Sequence, residues 1–435
     1  MLHTLPTLDF SGTWHSSLDC VRQMSASYIF MYLLCSEAEF IQEIDGNPKM
    51  ESGDSQHATF GRKGGTQVKR VRRAIDSGFE NNVDWALSSE NARNKTKVAF
   101  VVTTSEHPDQ IILWMAYHRA IGVSLFYLFT EGIAGSEESI ATLSKEPGVS
   151  IVPRDENLTA IQSKSRAWNE NWLAAFFNKP CNHELFVKQS LNMEIGISFA
   201  LEDKADWILH IDTDELIYPA GSVSYSLLEI LDEVPQEVDL FIFPNYESLA
   251  ETVDVEDPFL EVTLFKKNYA HVNSKEYFSK YGVVQKGNPN YFTTYGNGKS
   301  AARVVEGLRS NGAHRWYNYY KAPKEWSSRS SAVLHYTYNR FSDLKSRRDR
   351  CDCAPTKTEV EKCFILDFDR IAFMEASLRN DKELMDFFKE RLVWDDPKTV
   401  NNLINIGLFG RFHEPQLLLR GIKEALKQKR GGESI

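Results

Sequence analysis

Ala205-Asp206-Trp207-Ile208-Leu209-His210-Ile211-Asp212-Thr213-Asp214-Glu215-Leu216 is the stretch whose reading decides the fold of this chain. Residues 207–211 are a short apolar run, the length of one strand of a buried sheet. The run empties into three carboxylates within four residues, Asp212, Asp214 and Glu215. A buried strand that releases acid at its carboxyl end puts charge at the sheet edge, where ligands of open α/β folds bind. Asp212 and Asp214 are two apart, so in extended geometry both lean to one side. Two hard oxygen donors side by side suit Mn²⁺ or Mg²⁺ holding a substrate phosphate, because such ions take one or two carboxylates plus phosphate oxygens. The bland alternative is a solvated acidic turn, and the flanking sequence decides against it.

Upstream, Val98–Thr104 is β-branched and apolar, a central strand. Ser105-Glu106-His107-Pro108 brings a capping residue and a proline just inside a helix start. That helix carries Ile111, Ile112, Trp114, Met115 and His118 and stops at Gly122. Residues 125–129 form a second strand, 137–145 a helix and 149–152 a third strand. Strand-helix-strand-helix-strand predicts an α/β protein with a mostly parallel twisted sheet, right-handed crossovers and helices on both faces.

Further on, residues 163–177 and 184–202 have helical patterns, the second delivering the chain into the acidic strand. Residues 225–234 follow as a helix and 239–243 as an apolar strand. Residues 245–297 are polar, aromatic and irregular, as an acceptor-binding region would be. Strands return at 301–305 and 332–338, and 358–428 is mainly helical. The expected organisation is an N-terminal extension (1–95), a core domain (96–350) and a helical C-terminal extension (351–435). Within the first, residues 47–65 have linker composition. Arg62, Lys63, Lys69, Arg70, Arg72 and Arg73 then form a basic cluster, read as a solvated linker face.

Composition bounds the function. An apolar share of 42% and a charged share of 25% over 435 residues are those of a globular protein. A formal net charge of −10 argues against a general nucleic-acid binder. Nine Trp, 17 Tyr and 26 Phe suit a filled core and equally a sugar-stacking surface. Of six cysteines, Cys351-Asp352-Cys353 and Cys363 lack the paired spacing of a structural zinc site, which leaves disulfides and free thiols both open. Asn94-Lys95-Thr96 and Asn157-Leu158-Thr159 are glycosylation sequons, meaningful only in the secretory pathway. The apolar run 28–35 is far shorter than the roughly 20 residues of a membrane helix, and it is not placed as a signal peptide.

A parallel sheet meeting an Asp-x-Asp loop makes a coherent machine for sugar transfer. The leaving group there is a nucleoside diphosphate, whose developing charge a carboxylate-held cation stabilises. An acceptor hydroxyl attacks with help from a carboxylate base.

Several ordered pieces carry a resemblance: 106–122 with Trp114 and Tyr117-His118; 207–216; Gly298-Lys299-Ser300 with Arg303; His314; and Leu334-His335-Tyr336 ahead of 341–348. On these pieces, over about residues 97–350, the chain resembles the GT-A-fold glycosyltransferases, within them family 92 and its relatives. It is also similar to plant glycosyltransferase-like proteins of the KOBITO type. Where family members read Asp-x-Asp-Glu-Phe, this chain has Leu216.

The resemblance implies that Asp212 and Asp214 hold Mn²⁺ (or Mg²⁺) and the donor diphosphate, with His335 as third metal ligand. Thr103, Glu106 and Glu131 would lie near the base or ribose of a nucleotide sugar. Lys188, with Gln189 beside it, would reach the donor, and Lys299 and Arg303 would offer charge to phosphate. His314 would touch phosphate or acceptor, and Lys345 and Arg348 phosphate. The implied partners are a nucleotide sugar and a glycan or other hydroxyl acceptor. The implied location is the Golgi lumen or its membrane, although no anchor is visible in the chain.

For the general base, Asp254, Glu256 and Asp257 form the most suggestive cluster, and Glu247 is a further choice. A retaining mechanism would need none. A second reading is a glycosyltransferase-like protein without catalysis, acting as a binding or assembly component of cell-surface polysaccharide synthesis. A phosphatase reading is disfavoured, since that chemistry wants Thr or Val where Leu216 stands.

Overall fold

Val98–Thr104 forms β1 of the computed structural model, which describes residues 96–349 and 351–432. The linker and basic-cluster readings of 1–95 lie outside the described residues. Val98, Phe100 and Val102 pack into one core and Ala99 and Val101 into another. That is the period-two alternation of a strand covered on both faces.

Strands β2 (Leu125–Thr130), β3 (Val149–Pro153) and β4 (Trp207–His210) lie in the order β3-β2-β1-β4, all parallel. The expected parallel core is therefore present, and β4 runs through Ile211 into Asp212 at its carboxyl edge. Beyond it come β5 (Glu215–Tyr218), β6 (Leu240–Phe243), β7 (Asn245–Ser248), β8 (Leu264–Lys266) and β9 (Lys299–Arg303). The remaining strands are β10 (Leu308–Asn311), β11 (Arg315–Asn318), β12 (Glu325–Ser327), β13 (Ala332–His335) and β14 (Phe409–Arg411). The first sheet is β12-β6-β9-β4-β1-β2-β3, with β9 alone reversed. A second sheet has the order β14-β8-β7-β13-β5, and β10-β11 is a separate hairpin.

Two expectations are corrected. Residues 245–297 are not irregular: they hold β7, β8 and the helix Ser274–Gln285. The pairing partners β13 and β14 are far along the chain, so local pattern did not show these strands. Residues 163–177 form no single helix but a short 3₁₀ turn, Arg166–Asn169, and one helical turn, Asn171–Ala174. The region after 350 is mainly helical, as expected, and packs against the preceding strands. β14 pairs with β8, Trp394 and Leu408 pack with Leu249 and Leu264, and Leu419 and Ile422 enter the core beneath β1. The disulfide Cys181–Cys351, with Asn182 bonded to Asp369 at 2.8 Å, ties the same region to the start of the helix Asn182–Glu202, and Cys353–Cys363 closes a loop within that region.

The helix Pro108–Ala120 fixes β5, and with it the loop that follows β4. Trp114 Nε1 donates to Glu215 O (2.7 Å) and Tyr117 OH to Ile217 O (2.8 Å). Ile217 N–H donates to His118 Nε2 (3.3 Å), so the ring hydrogen is on Nδ1, facing Trp114 O at 2.9 Å. All three side chains are fully buried. Trp114→Phe should leave the Glu215 carbonyl unsatisfied and cost about 1–3 kcal/mol in denaturant unfolding; parent-like stability would refute the contact.

Burial holds His118 neutral, pushing its pKa down to about 3, against the opposing bond to Trp114. A lowered histidine contributes stability that is present above its unfolded value near 6.5 and lost as pH falls toward the folded one. Unfolding curves should therefore show stability declining from about pH 6.5 toward 3, and His118→Gln should flatten that decline.

Candidate functional site

Both oxygens of Asp212 are engaged by protein donors. Gln189 Nε2 donates to Oδ1 (2.7 Å) and Lys299 Nζ to Oδ2 (2.7 Å). Lys299 has no exposed side-chain surface and also faces Glu215 Oε2 at 3.4 Å. Antiparallel pairing of β9 with β4 sets Lys299 beside the carboxyl end of β4. Gly298, at φ +64°, makes the entry: a Cβ there would lie 2.0 Å from Phe243 O. Glu215 Oε2 accepts the Asp212 N–H (2.9 Å), while its Oε1 is buried without a hydrogen-bond partner among the described residues. Asp214, about half exposed, has Oδ2 3.5 Å from His335 Nε2.

Burial opposes each of these charges, and neighbours overrule it unequally. Burial raises Asp212, but Lys299 together with His210 and His314 holds it well below the usual carboxylate range. Lys299 is raised despite burial by Asp212 and Glu215. Glu215 is pushed up to about 7 by burial, which Lys299 only partly offsets, and Asp212 adds to the rise. Burial lowers His335, but Asp214 with Glu215 and Glu247 raises it to about 9.

The second sheet aligns these groups. Register pairs Glu215 with His335, His335 with Glu247, and Glu247 with Lys266, so the four side chains share one face in one row. Glu247 meets Lys266 Nζ at 3.2 Å, and Thr294 Oγ1 lies 3.3 Å from His335 Nδ1. The Tyr295 ring stacks on His335 with centroids 5.0 Å apart, and His314 meets its edge at 4.0 Å.

A cavity of about 470 Å³ lies at the carboxyl ends of β1, β2 and β3. Thr103, Glu131, Arg154, Lys188 and Asn192 supply polar groups, and Phe129, Trp168 and Phe177 aromatic wall. The helix Asn182–Glu202 forms one side, close against the sheet because Gly196 meets Val101, where a Cβ would stand 2.5 Å from Cγ2. Asn192 donates to Thr103 Oγ1 (2.9 Å), and Lys188 pairs with Glu131 (3.1 Å) and Glu184 (2.9 Å). Gln189, on the same helix, carries the connection from cavity to Asp212.

The structure thus brings Thr103, Glu131 and Lys188 into one cavity, Asp212 against Lys299, and Asp214 against His335. Among the described residues Asp212, Asp214 and His335 do not bring their ligand atoms together as a three-ligand set. The reason is that Asp212 is turned to Lys299 and Gln189. Arg303 is a correction. It pairs with Trp207 at the opposite end of β4, about 13 Å along the strand from Lys299. There it donates to the carbonyls of Val238, Val234 and Pro235, a structural task.

Glu106 is outside the cavity lining, its backbone N–H on Thr104 Oγ1 at 3.2 Å. His314 is held well below its ordinary pKa by burial and by Lys299, with Nδ1 3.2 Å from Gly298 O. Asp257 pairs with Lys423 of the C-terminal helix at 3.2 Å, and the backbone N–H groups of Glu256 and Asp257 bond Glu261. Asp254 and Glu256 are exposed. No hydrogen bond or ion pair among the described residues joins this cluster to Asp214 or His335. Glu247 is fully engaged by Lys266, Thr293 and Thr294, which removes it as a free base. Lys345 pairs with Asp381 and Arg348 with Asp349.

Sequence reasoning missed Asn192, Arg154, Thr294 and Tyr295. Asn192 was within reach of it, because Lys188, Gln189 and Asn192 share a helix face at spacings of three and four. Nothing local marks Tyr295.

Fold and site together define a mixed α/β protein with an acidic site and a cavity at the carboxyl edge of a mostly parallel sheet. Two proteins of Arabidopsis thaliana are similar over 331 residues, 76% of this chain. Glycosyltransferase-like At3g57200 is 50% identical, with 64% of its length covered, and Glycosyltransferase-like At2g41451 is 48% identical, with 73% covered. The chain belongs to this glycosyltransferase-like family. It spans a little under two thirds of the length of the first of these relatives. No family model matches. Among solved structures, UDP-glucose pyrophosphorylase complexed with UDP-glucose covers 77% of this chain and 100% of its own, at 9% identity and a TM-score of 0.19. A likeness at that score carries no argument, and the fold rests on the strand order above.

Lys299→Met should leave two carboxylates beside an apolar side chain and destabilise the protein by about 3–5 kcal/mol. Chemical denaturation checks this, with Arg303→Lys as a comparison that spares the acidic loop.

Proposed function

We propose that the protein is a metal-dependent glycosyltransferase of GT-A type, related to family 92 and KOBITO-type proteins. It would move a hexosyl or pentosyl group from a nucleotide-diphosphate sugar to a glycan or other hydroxyl acceptor. One observation carries the reading: consecutive turns of the helix Asn182–Glu202 line a nucleotide-sized cavity and hold the Asp-x-Asp loop. The cavity combines aromatic wall for a base with Thr103, Glu131 and Asn192 for ribose and base edges. Arg154 and Lys188 at the same wall, each paired with Glu131 and Glu184, would supply donors to a diphosphate.

The donor set fits a divalent cation in part. Asp214 Oδ2 and His335 Nε2 are 3.5 Å apart, near the roughly 3 Å between adjacent octahedral ligands at about 2.1 Å. A carboxylate and an imidazole suit Mn²⁺ better than Mg²⁺. When bound, such an ion would neutralise charge on a departing diphosphate. Asp212 contributes through Lys299 and Gln189, which fix the loop. No base is assigned among Asp254, Glu256 and Asp257: the Asp257 carboxylate pairs with Lys423, and Asp254 and Glu256 are exposed without a bond to Asp214 or His335 among the described residues. The two disulfides fit an oxidising compartment such as the Golgi lumen.

The engagement of both Asp212 oxygens favours a second reading, a binding component without turnover. A panel of nucleotide sugars with the full chain, scored for Mn²⁺-dependent binding by calorimetry and for hydrolysis, separates the two. The expected result is Mn²⁺-strengthened binding of one donor with slow hydrolysis, weakened at least tenfold by Asp214→Asn. Binding without hydrolysis or transfer would select the second reading, and no nucleotide binding at all would defeat both.

A further inference from the structure

Glu247 is the fixed point of a hydrogen-bond chain that ends at Asp214. Its two oxygens accept from Lys266 Nζ (3.2 Å), from the Thr293 N–H (3.0 and 2.8 Å) and from the Thr294 N–H (2.9 Å). Only 1% of Glu247 is exposed, so water does not replace these donors. A carboxylate so surrounded is an acceptor only. Its low pKa agrees: burial alone would raise it, and Lys266 and the backbone donors pull it down.

The Thr294 hydroxyl has one hydrogen and two neighbours, Glu247 Oε2 at 3.0 Å and His335 Nδ1 at 3.3 Å. The shorter bond, to a charged acceptor, takes the hydrogen. Thr294 Oγ1 then has only lone pairs to offer, and the ring nitrogen facing it must be the donor. The Tyr295 ring, 5.0 Å from His335 and tilted by 27°, restrains the imidazole plane.

We infer that Thr294, anchored by Glu247, is a positioning residue that keeps a hydrogen on His335 Nδ1 and turns Nε2 toward Asp214. Nε2 is thereby the nitrogen offered to a cation shared with Asp214. This deepens the proposed function and rests on Asp214 and His335 as the ion-holding pair. Loss of an outer hydrogen-bond partner from a metal-bound histidine typically weakens metal binding about 10- to 100-fold.

Two measurements on the full chain test the inference. The first is ¹⁵N NMR of histidine-labelled protein, with the His335 signals identified from a His335→Gln variant and Mg²⁺ added as a diamagnetic probe. Nδ1 should carry hydrogen with and without the ion; in ion-free Thr294→Val, recorded above about pH 9 where the ring is neutral, the hydrogen should redistribute between the ring nitrogens. A bare Nδ1 in the parent protein overturns the proposal. The second is Mn²⁺ affinity by electron paramagnetic resonance. Thr294→Val should bind about 10- to 100-fold more weakly, and Thr294→Ser, which retains the hydroxyl, should bind like the parent. Equal affinity for Thr294→Val overturns the proposal. Failure of the parent to bind Mn²⁺ would defeat the metal reading alone, and the NMR result would still decide the orientation of His335.

Discussion

Glu215, His335, Glu247 and Lys266 lie in one row across the second sheet, with signs that alternate when His335 is protonated. Four buried ionisable groups would be costly singly, and each is tolerable because its neighbours oppose it. Lys299 enters from the first sheet and adds a second cation against Glu215 and Asp212. The acidic loop therefore sits where the two sheets exchange charge. Its shape depends on that balance more than on the loop's own residues, of which Asp214 alone points a half-exposed carboxylate outward.

The row holds its place because the backbone beneath it is fixed from the other side. Trp114, Tyr117 and His118 leave one helix face and bond the β5 backbone at Glu215 and Ile217. β5 in turn sets the register of β13, and so the height of His335. These aromatic residues act through the β5 backbone, by reducing the positions that the acidic loop can take. The region beyond residue 350 closes the arrangement by adding β14 to the second sheet and Leu419 and Ile422 to the core.

The helix Asn182–Glu202 couples cavity and loop. Gly196 lets it approach β1, Asn192 reads Thr103, Lys188 faces Glu131 and Gln189 reaches Asp212. The cavity and the acidic loop thus share one helix. That is the physical basis for treating cavity and carboxylates as one site.

Local sequence determined the parallel core, because each of its strands is an apolar run bounded by turns and joined to the next by helical segments, a pattern that needs no distant partner. It also placed Asp212 at the sheet edge and put Thr103, Glu131, Lys188, Asp214 and His335 among the candidates. Tertiary structure alone decided how they group. Arg303 and Lys299 are both cations on one strand, yet antiparallel pairing with β4 sends one to the acidic loop and the other to the far end. Glu247 and Asp257 are both carboxylates of the middle region, and pairing with β13 buries one while the other meets Lys423. Strand register and long-range pairing set these outcomes, and neither leaves a periodic trace in the residues concerned. The sequence therefore named the chemical groups, and the fold chose which of them meet.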